Sequence, residues 1–152
     1  MKILMVCTGN TCRSPLAEVL LRRELIRAGV TDAEVSSAGT GAFDGERVSE
    51  GSYLVALEHG LDLGGHRAQI ADRELVKEQD LILTMASSHL RKLEHLGAGA
   101  RSHLFGAYAG MPPAEAEVAD PVGGPIEGYR AVFAQLERMA VAAAKRIAKE
   151  RR

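Results

Sequence analysis

Short apolar runs alternate with helix-period segments along this chain, and that alternation constrains the fold more than any other feature. Residues 2–6 (KILMV), 34–37 (EVSS) and 80–85 (DLILTM) are short, rich in apolar residues and bounded by turn residues, as buried strands are. Ala17, Leu20, Leu21, Leu25 and Ala28 recur at helical spacing between the first two. Ser14 can cap that helix, Pro15 fits its first turn, and Gly29 ends it. Residues 49–59, 72–78 and 87–96 predict three more helices, and 102–105 a fourth strand. Tyr129, Val132, Phe133, Leu136, Ala140, Ala143 and Ile147 predict a long amphipathic helix near the end. Strands that alternate with helices pair in parallel through right-handed crossovers, so a parallel sheet covered on both faces is expected. Ligands of such folds sit beyond the carboxyl ends of the strands.

The chain has 152 residues, which suits one domain, expected over 1–152, with a single core. A net charge of −1 gives no reason to expect nucleic acid or an anionic membrane as partner. No apolar run approaches the length of a membrane span. Met1-Lys2 leads straight into the first strand without a signal-peptide pattern, and the two cysteines, close together, make no disulfide framework. A cytoplasmic monomer is the expectation. The closing KRIAKERR reads as a solvated, dipole-complementing helix end, with an anionic partner as the alternative. Residues 106–124 (GAYAGMPPAEAEVADPVGG) change texture to Ala, Gly, Pro and acid, which predicts a long functional loop.

The chemistry concentrates in VCTGNTCRSPL, residues 6–16. Cys7 ends the first strand, and Arg13 stands where the next helix begins. Between them Thr8, Gly9, Asn10, Thr11 and Cys12 form a turn whose backbone N–H groups can converge on an anion, aided by the helix dipole. Arg13 adds a planar fork suited to two phosphate oxygens. Helix N-termini and cationic neighbours favour a thiolate over a thiol, so the loop would hold a phosphoryl group and activate Cys7 to attack it. The leaving group also needs a proton. Asp120-Pro121 is a candidate general acid, although from spacing alone Asp-Pro reads first as a turn signal. Cys7 alone would read as a buried small hydrophobe; the spacing to Arg13-Ser14 and the helix favours the nucleophile. Other phosphate motifs are missing: no Gly-Lys-Ser/Thr occurs, and Gly39, Gly41 and Gly45 miss the dinucleotide spacing. Cys12 is either a packed small residue or a partner that captures an oxidised Cys7 as a disulfide.

VCTGNTCRSP, SSAGT, LDLGGHRA, DLILTM and ADPVGG, in that order, resemble the low-molecular-weight protein tyrosine phosphatases over nearly the whole chain. The resemblance implies an α/β three-layer sandwich with a four-stranded parallel sheet flanked by helices. It implies no metal or organic cofactor, and phosphorylated proteins as partners. It makes Cys7 the nucleophile, Arg13 the phosphate clamp, Ser14 a donor to the thiolate and Asp120 the general acid. Asn10 takes the place of an asparagine whose strained loop conformation is held by Ser14, Ser37 and His66. His59, His89, His95 and His103 read as surface or capping residues. Two departures bear on the substrate. Thr11 replaces the isoleucine usual in tyrosine-specific members, and Val122-Gly123-Gly124 replaces the aromatics that usually follow Asp-Pro. Phe43 and Tyr108 are the remaining aromatic candidates for the pocket. Thr11 with Asp-Pro-x-Gly-Gly resembles the bacterial protein-arginine phosphatase branch, so phosphoarginine is the expected substrate and phosphotyrosine the alternative. Arsenate reduction on this fold needs relay cysteines downstream, and none follows Cys12. A non-catalytic phosphoprotein-binding module is a further alternative.

Overall fold

The computed structural model describes residues 1–151. Four parallel strands form one sheet in the order β2-β1-β3-β4: β1 (Lys2–Cys7), β2 (Glu34–Gly39), β3 (Leu81–Thr84) and β4 (Ser102–Leu104). The helices are α1 (Arg13–Arg27), α2 (Glu50–Glu58), α3 (Arg73–Lys77), α4 (Ser87–His95), α5 (Phe105–Tyr108) and α6 (Ile126–Glu150). Ile3 pairs with Val35 on one side and Leu81 on the other, so β1 is central and hydrogen-bonded along both edges.

Alternation along β1 sorts the core into two layers. Ile3, Met5 and Cys7 join Leu16, Leu20, Phe133 and Leu136 beneath α1 and α6. Leu4 and Val6 join Val76, Ile82 and Leu93 beneath α3 and α4. The expected sandwich is therefore the observed one, with helices on both faces of a four-stranded parallel sheet.

Local boundaries differ in instructive ways. Helix α1 begins at Arg13 with Cys12 at its N-cap, so Ser14 lies inside the helix and caps nothing; its hydroxyl is used on the cradle instead. Residues 106–124 are less open than their composition suggests. The single turn α5 buries Phe105, and Gly106 backs onto Ala116, where a Cβ would lie 2.4 Å from the carbonyl oxygen. That short helix has no room to show a 3.6-residue period, so sequence pattern misses it. At the end of α6, Arg146 lies over the Tyr108 ring and pairs with Glu150, and Arg151 pairs with Asp32. Part of the basic end is thus neutralised within the fold. Among the described residues no helix is long and apolar enough to cross a membrane.

Candidate active site

β1 delivers Cys7 to the carboxyl edge of the sheet, where the side chain is 2% exposed. The turn that follows is strained at one point: Asn10, buried, has φ 57, the left-handed region, and is the only non-glycine there among the described residues. Every polar group of its side chain and its carbonyl is engaged. Nδ2 donates to Ser14 Oγ at 2.7 Å and Ser37 Oγ at 3.0 Å, and Oδ1 accepts from Gln69 N at 3.0 Å. The Asn10 carbonyl accepts from His66 Nε2 at 2.7 Å. Ser37 in turn donates to Glu18 Oε1 at 2.7 Å.

The direction of these bonds follows from donor counting. Ser14 Oγ already accepts from Asn10, so its own proton is free for Cys7 Sγ, 2.9 Å away. The Asn10 backbone N–H points at the same sulfur from 3.3 Å. Two donors therefore meet one sulfur, an arrangement that suits an acceptor bearing negative charge. Gly39 closes the back of the turn: a Cβ there would lie 2.3 Å from Thr8 O and 2.9 Å from Asn10 N, so only glycine lets β2 support the cradle this closely.

Arg13 is buried at the first position of α1. Its Nη1 donates to Val118 O at 3.0 Å, and its Nη2 stands 3.8 Å from Asp120 Oδ2. One guanidinium thus ties the long loop to the cradle. Asp120 also makes the turn that its pairing with proline suggested, since Oδ1 accepts from Val122 N at 3.1 Å. The two readings of Asp120 coexist on different oxygens. Cys7, Thr8, Gly9, Thr11, Cys12, Arg13, Asp120 and Val122 line a cavity of about 210 Å³. A larger groove of about 440 Å³ along Thr40, Ile70, Lys92 and Leu96 is lined by no cysteine, so chemistry rather than size selects the smaller one.

No aromatic ring lines that cavity. Phe43 is 77% exposed on the loop after β2, and Tyr108 is buried under Arg146, so neither takes the place the sequence left open for it. Both thiols are free. Cys12 donates to Ser49 Oγ at 3.2 Å and lies 4.0 Å from Tyr129 OH. His89 is not a surface residue. It is buried, accepts from Ala86 N through Nδ1 at 3.1 Å, and lies 2.9 Å from Thr8 Oγ1 through Nε2. Burial, and then the nearby Arg13 charge, lower its pKa to about 4, so the ring is neutral at physiological pH. Gln69 and His89 escape sequence reading because neither lies near the cradle in the chain, and Glu18 because an acidic residue on a helix face reads as solvated; the fold brings all three there.

A sulfur met by two donors, sharing a cavity with a guanidinium at the carboxyl end of a parallel sheet, is the arrangement of a nucleophile for phosphoryl groups. The comparisons agree. A solved YwlE arginine phosphatase mutant with a phosphorylated active-site serine superposes with a TM-score of 0.91 at 30% identity, over 99% of this chain and 98% of that one. The low molecular weight protein-tyrosine-phosphatase PtpB of Staphylococcus haemolyticus is 39% identical over 137 residues, 90% of this chain and 92% of the relative. A protein-arginine-phosphatase of Geobacillus stearothermophilus is 36% identical over 138 residues, 91% of this chain and 90% of the relative. The chain belongs to the low molecular weight phosphotyrosine protein phosphatase family, which matches residues 2–152.

Proposed function

We propose that this phosphatase hydrolyses phosphoarginine in proteins, through a phosphocysteine on Cys7. Cys7 Sγ attacks phosphorus within the turn of Thr8 to Cys12. The S–P bond forms as the P–N bond breaks, and Arg13 holds two of the equatorial oxygens. Asp120, protonated, gives its proton to the departing guanidine nitrogen. The same carboxylate then takes a proton from the water that cleaves the S–P bond, releasing inorganic phosphate and the thiolate. Ser14, Ser37 and His66 keep Asn10, and with it the turn, in shape.

One observation carries the choice of substrate: Thr11, not an apolar branch, lines a cavity that no aromatic ring borders. A phenyl ring would find no stacking partner there, whereas a guanidinium finds the Thr11 hydroxyl and the Asp120 carboxyl oxygens as hydrogen-bond partners. Relatives named for tyrosine and for arginine phosphatase activity both match, so the pocket wall rather than the family favours one. We extend the proposal to one phosphatase domain over 1–152, acting as a cytoplasmic monomer without cofactor or nucleic acid; the near-zero net charge speaks against nucleic acid and the free thiols suit a reducing compartment.

Matched peptides carrying phosphoarginine or phosphotyrosine test the choice. Wild type should prefer phosphoarginine, and Thr11→Ile should move the ratio of kcat/KM toward phosphotyrosine by about 10-fold or more. A wild-type preference for phosphotyrosine that the substitution barely changes would contradict it.

A further inference from the structure

We infer that His89 is a positioning residue for phosphoryl transfer: it fixes the Thr8 hydroxyl so that Thr8 donates its proton to a phosphoryl oxygen in the pocket. The inference follows from bond directions. Ala86 N–H donates to His89 Nδ1 at 3.1 Å, so Nδ1 carries no proton and the ring proton is on Nε2. Nε2–H therefore donates to Thr8 Oγ1, 2.9 Å away, and Thr8 Oγ1 is an acceptor in that bond. Its own hydrogen must point elsewhere. Thr8 lines the cavity beside Cys7, Arg13 and Asp120, and its methyl is turned toward Gly41.

The histidine is held from both sides. It lies in the first turn of α4, is 2% exposed, and has Ala86 fixing one ring nitrogen. Glu117, three residues before Asp120, binds Ser87 N and Ser87 Oγ at the start of the same helix. α4 is thus tied to the acid loop through Glu117 and to the cradle through His89. A hydroxyl oriented by such a rigid donor adds a side-chain hydrogen bond to the backbone ones around the phosphoryl group. A bond of that kind, to a charged group, is worth a factor that activity measurements resolve. The bland alternative is that His89 only caps α4.

Thr8→Val removes the hydroxyl at nearly constant shape. It should weaken competitive inhibition by inorganic phosphate and lower kcat/KM on p-nitrophenyl phosphate, each by about tenfold. His89→Asn keeps an acceptor near the Nδ1 position for Ala86 N–H and deletes the Nε2 donor. It should cause most of the same loss in the wild-type background and little further loss on Thr8→Val. A residue that only caps α4 would lower the unfolding temperature and leave both constants unchanged. Thr8→Val with unchanged constants overturns the inference, as does a full His89→Asn effect on the Thr8→Val background. The tautomer is read without any variant, by nitrogen NMR of the labelled wild-type protein at neutral pH. A proton on Nε2 alone is expected; a proton on Nδ1 overturns the assignment.

Discussion

The cradle and the acid loop do complementary work and are built in opposite ways. In the cradle Asn10, Arg13 and Ser14 are buried, and each Asn10 side-chain atom that can hydrogen-bond does so. The acid loop leaves the Asp120 side chain 45% exposed, with its turn to Val122 N and the long contact to Arg13 as its fixtures. The cradle can hold a left-handed asparagine because its neighbours over-determine the shape. The acid loop stores no comparable constraint, and Val122 beside it projects into solvent. A dianion needs fixed donors, while a varied leaving group needs a carboxylate that can reach it. The difference teaches where substitutions should cost stability and where only rate.

The largest effect should come from the looser region. Asp120→Asn is expected to lower kcat by about 10²–10⁴-fold on a substrate with a poor leaving group, with the loss shrinking for one that needs no proton. Its urea midpoint and its inhibition by inorganic phosphate should stay at wild-type values. An unchanged rate with the poor leaving group would hand the acid role to another residue.

The cradle should respond in both quantities. Asn10→Ala keeps a side chain in left-handed backbone and leaves Ser14, Ser37 and Gln69 without their common partner. It should cost roughly 2–3 kcal/mol in urea unfolding and about tenfold in kcat/KM. Lost activity at full stability would break the contrast, because strain and catalysis would then be separable.

The narrowest effect, absent at neutral pH, lies where the two regions meet, at His89. Its pKa is about 4 in the fold against a model-peptide 6.5. Above pH 6.5 the ring is neutral in both states, so it adds no pH dependence. Between 6.5 and 4 the unfolded chain binds a proton that the fold refuses, so stability falls as pH falls, by up to roughly 3 kcal/mol. His89→Asn should flatten that part of the stability profile. An identical acid slope in the variant would remove His89 from it.

Sequence made the sheet legible because the strands are short apolar runs and the helices keep their period. The central cradle was legible for a different reason: Cys7, Asn10, Arg13 and Ser14 are chain neighbours, and a strand-to-helix turn places them together. What escaped depends on distance along the chain. Thr8 and His89 are 81 residues apart, and nothing local marks the histidine as buried. Glu18 sits on a helix face where an acidic residue reads as solvated, yet it orients Ser37. Ser14 reads as a cap because serine before proline commonly is one; the fold places it two positions past the N-cap Cys12, inside the helix.

The central claim is that the Cys7 sulfur bonds to phosphorus. Rapid mixing of enzyme with excess p-nitrophenyl phosphate, quenched in denaturant and read by intact-protein and peptide mass spectrometry, tests it most directly. A phosphoryl adduct on Cys7, formed with a burst of p-nitrophenol that matches the enzyme concentration, is the predicted result. Wild-type turnover without any adduct, together with undiminished hydrolysis by Cys7→Ala, would contradict it.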